Sequence, residues 1–539
     1  MNERHYRYIK DGMDMHYYIM LPDNYDINKK YPLIVNLHGA GTYGIKPEDM
    51  PIDSPEMKYY RLRKPECVML VPLSSFETWS SQQRNLKHLI DVVIDKFNID
   101  INRVSICGGS MGGYGTWDMI TEYPDFFAAA APFCGGGMAW AANRIKNMPI
   151  RIYHGDDDAT VFLERSVEMF NTLKAYNPDN NEITLKIIPG AGHNSWEPAY
   201  NDGVLEWLIS KSRRTFDVYA AGCTENSGIY RYKLEDGKLS FVEKYDIDDV
   251  MYLKVKRSKM YALLKTPYSN GEGGVLTYDV HKSRLVNKSA IQPAFGKATC
   301  HLDVDADMNV YLVNYVDGSV AKINSKTGVT EMSYHKGEGV NKPRQDKEHT
   351  HQICFTPDNK YFTVCDLGTD KIHIYNMELT EISTVDAVPG SGPRHIIFNE
   401  NGRYAYCINE LDNTVTVYEY ADGCLTRLDS YDMLPFGYDG LTTAAAIRIN
   451  GKYLYTSTRG HDSITRFEIS EDGSTLEYVD NVSCEGKRPR DINISPDGKS
   501  LISANEGGNI TLFDIFDDGS LKYTGTQYEL PGALCVIFA

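Results

Sequence analysis

Hydrophobic and polar positions follow two different rhythms along the 539-residue chain. In the first 213 residues, continuous apolar runs alternate with segments of helical period such as Ser81–Phe97, and residues 5–21 alternate between polar and apolar. A continuous apolar run indicates a strand covered on both faces, whereas alternation indicates a strand with one exposed face. The pattern predicts antiparallel strands at 5–21, then a mainly parallel sheet with helices on both faces, closed by a helix at Asp202–Lys211. The sheet strands are expected within Tyr31–Gly41, Cys67–Leu73, Arg103–Cys107, Phe126–Gly137, Met148–Val161 and Ile183–Trp196.

Beyond Ser210–Phe216 the helical pattern ends, and short strands separated by D-G, N-G and D-N turns take over. Six units repeat the order strand, turn, strand, loop, strand, with a weaker fourth strand after each. A repeat of roughly 40–50 residues built in this way is typical of a β-propeller blade. We therefore predict two domains, an α/β domain at 1–213 and an all-β propeller at 216–539. The repeated units begin at Val250, Cys300, His351, Arg394, Ala444 and Arg490.

The two ends of the second domain each supply part of one further blade. Phe216–Tyr245 contains three strands without an inner one, and Leu534–Ala539 contains one strand without the rest. Joined, they complete a seventh blade, and closure of the ring removes exposed sheet edges. We predict seven blades, with Leu534–Ala539 pairing beside the strands of Phe216–Tyr245.

Composition narrows the classes of partner. The formal charge of −17 argues against nucleic acid or an anionic membrane surface. No run of about 18 apolar residues occurs, so no membrane span is expected. The N-terminal sequence lacks the features of a secretory signal, and eleven cysteines without C-x-x-C spacing are typical of reduced thiols. A cytoplasmic protein is expected, and composition leaves its oligomeric state open.

The stretch Arg103–Trp117 carries the candidate chemistry of the first domain. A short apolar strand leads into a G-x-S-x-G pattern at residues 108–112, which centres on Ser110, and a helical segment follows. A strand, a sharp turn and a helix in that order form the nucleophile elbow of α/β-hydrolases. The first domain is therefore predicted to be an α/β-hydrolase.

Two later strands end in the partners that a serine nucleophile needs. An aspartate run, residues 156–158, ends one strand, and His193 follows the next, so the chain order is Ser, Asp, His as in α/β-hydrolases. Histidine takes the serine proton, and the aspartate holds the imidazole in the required tautomer. Two backbone N–H groups should stabilise the oxyanion, from Ala40 in the glycine-rich turn after the first central strand and from Met111.

A family resemblance rests on the motifs HGAG, GGSMGGYGTW, APFCGGG, HGDDDATV and GHNSWEPAY. Together they resemble the dienelactone-hydrolase-like serine esterases over nearly all of residues 1–213. The resemblance implies Ser110 as nucleophile and His193 as base. The family pattern H-G-x-x-D-x-x-V implies that the acid is Asp158 rather than Asp156 or Asp157.

The second domain resembles the lactonase-type seven-bladed propellers, the family that contains a 6-phosphogluconolactonase and a carboxymuconate cyclase. The resemblance covers residues 216–539 and rests on motifs such as TCHLDVD, GPRHIIFNENGRYAYCINELDNTVTVY, STRGHDSI and RPRDINISPDGK. It implies a central cleft in which a histidine, two arginines and a glutamate meet. The matching residues are His351, Arg394, Arg459 and Glu410, with His301, Arg344 and His395 as neighbours.

Arginines in such a cleft favour an anionic ligand, because guanidinium groups bind carboxylate or phosphate through paired hydrogen bonds. One hypothesis is that His351 and Glu410 transfer protons during the opening of a sugar lactone. The other is that Glu410 only neutralises an arginine, so that the propeller has a binding or shielding role and no chemistry of its own.

The sequence therefore predicts a two-domain hydrolase that acts on a small-molecule ester or lactone. No cofactor is expected, and no metal, because the histidines do not fall at zinc-ligand spacing. Two alternatives stay open: a prolyl-oligopeptidase-like peptidase, and a propeller-dominated lactonase with an accessory hydrolase domain. In prolyl-oligopeptidase relatives the propeller precedes the hydrolase domain, which is the reverse of the order here.

Overall fold

The computed structural model describes residues 2–10, 13–27, 29–42, 54–74, 78–281 and 283–539. The chain divides into two compact units, residues 1–214 and residues 215–539. Within those described ranges, every helix is too short or too polar to cross a membrane.

One eight-stranded sheet forms the centre of the first unit. Its strands are β1 (Asn2–Lys10), β2 (Met13–Leu21), β3 (Tyr31–Leu37), β4 (Val68–Leu73), β5 (Ile99–Gly109), β6 (Ala129–Phe133), β7 (Ile150–Gly155) and β8 (Ile183–Ile188). They lie in the order β1-β2-β4-β3-β5-β6-β7-β8. The pairs β1–β2 and β2–β4 are antiparallel and all the others are parallel, which confirms the predicted mainly parallel sheet.

Alternate side chains of β3 enter two separate hydrophobic cores, one on each face of the sheet. Leu33 and Val35 belong to one core and Ile34 to the other. All seven residues of β3 are buried, as its continuous apolar run predicts. Because β3, β5, β6, β7 and β8 are parallel, the turns that follow them lie at one edge of the sheet, where ligands bind in such folds.

The helices of the first unit are α1 (Pro55–Arg63), α2 (Gln83–Lys96), α3 (Met111–Glu122), α4 (Glu164–Tyr176), α5 (Trp196–Asn201) and α6 (Val204–Ile209), with 3₁₀ turns at Ala40–Thr42, Trp79–Ser81 and Ala139–Ile145. The predicted closing helix is α6, which is shorter than expected and follows Gly203 in a left-handed conformation. The apolar pattern predicts neither α1 nor α4. In α4 the buried side chains are Ser166, Met169 and Leu173, a stripe too narrow to stand out in the sequence.

The second unit is a ring of seven antiparallel sheets, each with four strands, and one of them carries a fifth. Blade 1 contains Thr215–Gly222, Ile229–Glu235, Lys238–Tyr245 and Ala533–Phe538; blade 2, Val250–Lys256, Lys259–Leu264, Glu272–His281, Arg284–Val286 and the extra Gln292–Lys297; blade 3, Thr299–Val304, Val310–Asn314, Ser319–Ile323 and Thr330–Tyr334; blade 4, Thr350–Phe355, Tyr361–Asp366, Lys371–Asn376 and Glu381–Asp386. Blade 5 contains Pro393–Phe398, Tyr404–Asn409, Thr414–Ala421 and Cys424–Asp432; blade 6, Thr443–Asn450, Tyr453–Arg459, Ser463–Ile469 and Leu476–Ser483; blade 7, Pro489–Ile494, Ser500–Asn505, Asn509–Ile515 and Leu521–Glu529.

The ring is closed by the last strand of the chain. Ala533–Phe538 pairs antiparallel with Thr215–Gly222, so blade 1 takes its inner strand from one end of the unit and its other strands from the opposite end. The same strand packs against the inner strands of blades 2 and 7, its neighbours in the ring. The predicted seven blades and their closure are confirmed.

Candidate functional site

Ser110 lies at the sharp turn between β5 and α3. Its backbone adopts φ 56° and ψ −117°, a strained conformation that is typical of a nucleophile elbow. The flanking glycines are required by close packing, since a Cβ at Gly108 or Gly112 would lie 2.6 Å or 2.0 Å from the carbonyl oxygen of Leu37. The G-x-S-x-G pattern therefore lets α3 start directly above β3 and leaves the hydroxyl of Ser110 partly exposed.

The three residues predicted to form the triad make one continuous hydrogen-bonded chain. Ser110 Oγ lies 2.9 Å from His193 Nε2, and His193 Nδ1 lies 2.8 Å from Asp158 Oδ2. Each side chain follows a different strand, β5, β7 or β8, at the same edge of the sheet. The hydroxyl, imidazole and carboxylate are thus placed for proton transfer from serine to histidine.

Asp158 differs from its two neighbours in the aspartate run. It is buried, whereas Asp156 and Asp157 are exposed, and Asp156 instead accepts a hydrogen bond from the Gly190 N–H. Asp158 Oδ1 accepts hydrogen bonds from the N–H groups of Thr160 and Val161, each at 2.9 Å. Burial alone would raise the pKa of Asp158, but these hydrogen bonds and the one from His193 hold it below its usual value.

His193 also contacts a residue that is not part of the predicted site. Cys134, directly after β6, lies against the imidazole, and Trp196 meets the ring edge-on with centroids 5.6 Å apart. The Cys134 side chain contributes most to raising the pKa of His193, burial opposes it, and Asp158 adds to it, with a net value of about 9. A raised pKa keeps the imidazole protonated up to a higher pH, and His193 must lose that proton before it can accept the one from Ser110 as a general base.

The two expected oxyanion donors flank the nucleophile. Met111 is the first residue of α3, and the first N–H groups of a helix have no intrahelical acceptor. Ala40 begins the 3₁₀ turn that follows Gly39. A Cβ added at Gly39 would lie 3.7 Å from the Cβ of Ser110, so this turn passes beside the elbow. The oxyanion-binding role of Ala40 and Met111 stays a prediction.

In the propeller, the inner strand of every blade has an irregularity close to its start. The pairing register with the next strand shifts just after the first residue in six blades and after the second residue in blade 6. Such β-bulges redirect a side chain and are frequent beside active sites. The positions left out of the pairing are Met251, Cys300, His351, Arg394, Arg490 and Leu534, and in blade 6 both Ala445 and Ala446.

A cavity of about 610 Å³ lies among these inner strands, and four of the bulged residues line it. Its basic lining residues are Lys265, Arg344, Arg459, Arg488 and Arg490, and its acidic one is Glu410. Among the residues that the structure describes, neither Lys265 nor Arg490 has a carboxylate partner. The cavity therefore presents an excess of positive charge, although the whole chain has a formal charge of −17.

Glu410 is held by three arginines. Arg344 donates to Oε1 at 2.6 Å, and Arg394 and Arg459 lie 3.0 Å from Oε2. Burial alone would raise the pKa of Glu410, but the arginines outweigh it and hold that pKa far below its usual value. Arg394 is almost fully buried and lies outside the cavity lining, so it supports Glu410 from behind. The carboxylate of Glu410 is thus paired with three guanidinium groups in this structure.

His351 lines the cavity as a neutral imidazole. Burial, together with the nearby Arg394, lowers its pKa well below the usual value, and within the described ranges its buried Nδ1 has no hydrogen-bond partner. His395 lies behind it with ring centroids 5.3 Å apart, and His301 lies 5.6 Å from His395. Of these three histidines, His351 alone lines the cavity, which makes it the candidate base.

The sequence-based prediction does not name several residues of these sites, among them Cys134, Lys265, Arg488 and Arg490. Arg490 could have been found by aligning the blades, because it occupies the bulged position that His351 and Arg394 occupy in theirs. No local signal marks Cys134 or Lys265, since only the packing of distant strands brings them to the sites.

Comparison with family models supports both halves of the chain. Residues 217–538 match the model described as "Lactonase, 7-bladed beta-propeller", and residues 72–204 match that of the "Dienelactone hydrolase family".

Known proteins resemble the propeller half. An uncharacterised protein of Staphylococcus saprophyticus is 32% identical over 333 residues, which is 58% of this chain and 96% of that protein. A 6-phosphogluconolactonase of Bacillus subtilis is 31% identical over 346 residues, 60% of this chain and 96% of that enzyme. A solved structure of a Lactobacillus plantarum protein has 28% identity and a TM-score of 0.56, covering 60% of this chain and 99% of its own.

Proposed function

The chain belongs to the lactonase family of seven-bladed β-propellers and carries a dienelactone hydrolase family domain before the propeller, and from this premise we propose that it is a hydrolase with two catalytic centres. One is a serine esterase centre at Ser110, which acts on small carboxylic esters. The other is a lactone-opening centre in the propeller cavity. The esterase proposal rests on the hydrogen-bonded chain from Ser110 through His193 to Asp158.

In the proposed esterase reaction, His193 Nε2 takes the proton of Ser110 as Oγ attacks the ester carbonyl carbon. Asp158 stabilises the imidazolium that forms, and the N–H groups of Ala40 and Met111 stabilise the oxyanion. The imidazolium then returns its proton to the leaving alcohol, which yields an acyl-enzyme. A water molecule then attacks the acyl-enzyme by the same steps, with His193 as the base, and the carboxylic acid is released.

The lactonase proposal rests on the charge of the propeller cavity. An anionic group on a sugar lactone would accept hydrogen bonds from Lys265 and Arg490, the two lining cations without a carboxylate partner in the described part of the chain. The name of the Bacillus subtilis relative makes 6-phosphogluconolactone the first substrate to test.

Neutral His351 is the proposed base in that reaction. It would take a proton from a water molecule that attacks the lactone carbonyl, and would return that proton to the ring oxygen as the C–O bond breaks, which gives the open hydroxy acid. Arg344 or Arg459 would stabilise the oxyanion, while Glu410 keeps the arginines in place. Of the two roles considered for Glu410, its hydrogen bonds with Arg344 and Arg394 and its ion pair with Arg459 favour the neutralising one.

Arg490→Ala should lower kcat/KM for 6-phosphogluconolactone by about 10–100-fold, the loss of one charge-assisted hydrogen bond. Uncharged gluconolactone should lose less than about threefold, because the phosphate contact is absent. Lactone consumption is followed by acid release in a weakly buffered indicator assay. Arg403→Ala is the matched control, since Arg403 pairs with Glu419 on the surface, outside the cavity. An equal loss with both lactones would contradict the assignment of Arg490 to the anionic group.

One substrate panel separates the competing functions. The intact chain is assayed with p-nitrophenyl esters, dipeptidyl amides and 6-phosphogluconolactone. We expect turnover of the esters and the lactone. Cleavage of the amides with neither of the other two would favour the prolyl-oligopeptidase-like alternative, and turnover of the lactone alone would favour the propeller-dominated one.

The cysteines support a reducing compartment. All eleven are free thiols, and seven of them are buried inside the two units. Most lie on strands or directly after them, where they pack as small hydrophobic side chains. We therefore propose a cytoplasmic location for the chain.

A further inference from the structure

Cys134 lies at the same sheet edge as the candidate triad but takes no part in the proposed ester reaction. It follows the last residue of β6, Phe133, whose carbonyl oxygen accepts a hydrogen bond from the N–H of Ser110 at 3.0 Å. The N–H of Cys134 donates to the carbonyl oxygen of Tyr153 on β7 at 2.8 Å. The thiol is free and buried, and rigid strands on both sides hold its position.

The thiol, one carboxylate oxygen of Asp158 and one ring nitrogen of His193 all lie within 4.8 Å of one another. Thiolate, imidazole and carboxylate are the three side-chain ligands that zinc takes, and ligand atoms around one tetrahedral zinc stand roughly 3.3–3.6 Å apart. Small side-chain movements are therefore enough to bring all three groups onto one ion.

We propose that Zn²⁺ binds Cys134, Asp158 and His193 and reversibly inhibits the esterase centre. The inhibition rests on the proposed esterase function, whereas the binding does not. Zinc is an inhibitor in this proposal, so the reaction itself still needs no metal. Water would complete the four-coordinate sphere.

The surroundings of the three ligands favour binding. The N–H groups of Thr160 and Val161 hold the Asp158 carboxylate, and ordered outer contacts of this kind strengthen metal sites. The side chain of His193 is 24% exposed, which leaves a route for the ion from solvent.

The inhibition follows from the different roles of the two imidazole nitrogens of His193. Nδ1 faces Asp158 and Nε2 faces Ser110. When zinc occupies Nδ1, the ring remains neutral with its proton on Nε2, and the thiol proton passes to solvent. Nε2 then donates toward Ser110 Oγ and can no longer accept its proton, so the nucleophile is not activated.

The test uses the full chain, stripped of metal and freed of chelator. Zinc chloride is titrated while bound zinc is measured by equilibrium dialysis and turnover is measured with p-nitrophenyl butyrate. In the parent we expect turnover to fall as this site fills, and EDTA to restore it. Loss of an outer-shell partner lowers metal affinity by about 10–100-fold. Because Cys134 is a direct ligand in this proposal, Cys134→Ala and Cys134→Ser should weaken zinc binding at this site at least as much.

Each variant is compared with its own metal-free rate, and its melting curve shows whether it is folded. Cys134→Ser keeps the size of the side chain if the alanine variant does not fold. Cys424→Ser is the matched control, because it removes an exposed thiol far along the chain. A second cluster, His335, Asp366 and His373, also has the spacing to hold a metal ion. The decisive quantity is therefore the difference in bound zinc between the parent and the Cys134 variants. Mg²⁺ should have no effect, because it prefers oxygen ligands.

The outcomes separate this proposal from the esterase assignment. Ser110→Ala should bind zinc as the parent does, since Ser110 is not a ligand. If the parent turns over no ester but binds zinc in a Cys134-dependent manner, the esterase assignment fails and the zinc site stands. If the parent and both Cys134 variants bind zinc equally, the zinc site is refuted, whatever the turnover.

Discussion

Replacing Ser110 by alanine should lower kcat for p-nitrophenyl butyrate by about 10⁴–10⁶-fold, because the nucleophile is lost and only binding and oxyanion stabilisation remain. The kcat of His193→Ala should lie within about tenfold of that of Ser110→Ala, since triad members act as a unit. The melting temperature of Ser110→Ala should stay close to that of the parent, because only one partly exposed oxygen is removed. Turnover is measured on the full chain with chelator present, so that zinc does not contribute.

Two aspartates of the run provide a matched pair of variants that tests the acid of the candidate triad. Asp158→Asn should lower kcat by about 10⁴-fold, since the amide favours the wrong imidazole tautomer. Asp156→Asn should change kcat less than about threefold, because Asp156 is exposed and its side chain accepts, among the described residues, only the hydrogen bond from the Gly190 N–H. A severe loss in Asp156→Asn with a harmless Asp158→Asn would overturn the assignment of the acid. Full ester turnover in Ser110→Ala would overturn the esterase proposal itself.

Removing residues 534–539 should lower the melting temperature of the propeller by roughly 10 °C or more. The deletion removes most of the strand that closes blade 1, including the fully buried Cys535 and Val536 and the half-buried Ile537 and Phe538. Burial of one large apolar side chain contributes about 1.5–3 kcal/mol, so the total approaches the 5–15 kcal/mol by which a typical domain is stable. The deletion also exposes the edge of Thr215–Gly222.

Deletion of Ala539 alone is the matched control. That residue lies outside the closing strand, and its N–H makes one hydrogen bond to the carbonyl oxygen of Asp217. Its loss should cost about 1 kcal/mol. Unfolding is followed by circular dichroism at the β-sheet signal and by calorimetry. If the six-residue deletion melted like the full chain, the closing strand would contribute little and the stability of the ring would have another source.

Much of the first site could be predicted because its signals are local. The turn at Ser110 needs glycine at positions 108 and 112, and those glycines are visible in the sequence as one motif. In a parallel sheet the turns after successive strands share one edge, so the chain order Ser, Asp, His already implies that the three side chains can meet. The choice of Asp158 within the aspartate run rested on family resemblance. In the structure Asp158 is the buried member of the run, and its role as the acid stays a prediction.

The propeller cavity was less predictable. The resemblance named its histidine, arginines and glutamate. Which of these side chains line the cavity and which lie buried behind it depends on the packing of the blades. Arg394 lies behind the cavity and Glu410 is fully engaged by arginines, while Lys265 and Arg490 face the cavity without a carboxylate partner among the described residues. The bulges near the start of the inner strands, which redirect side chains such as His351, Arg394 and Arg490, have no recognisable sequence pattern of their own.

The sequence alone was sufficient to predict the seven blades and their closure, and it also supplied the two-domain division and the order of the candidate triad as predictions. These features follow from periodic apolar positions and from a repeated unit, which are properties of neighbouring residues. Only the tertiary structure decided which side chains meet across strands: Cys134 beside His193, and Arg490 beside the cavity that Glu410 lines. Such meetings depend on the order of strands in a sheet, on their register and on bulges, and periodicity along a single strand carries no information about them.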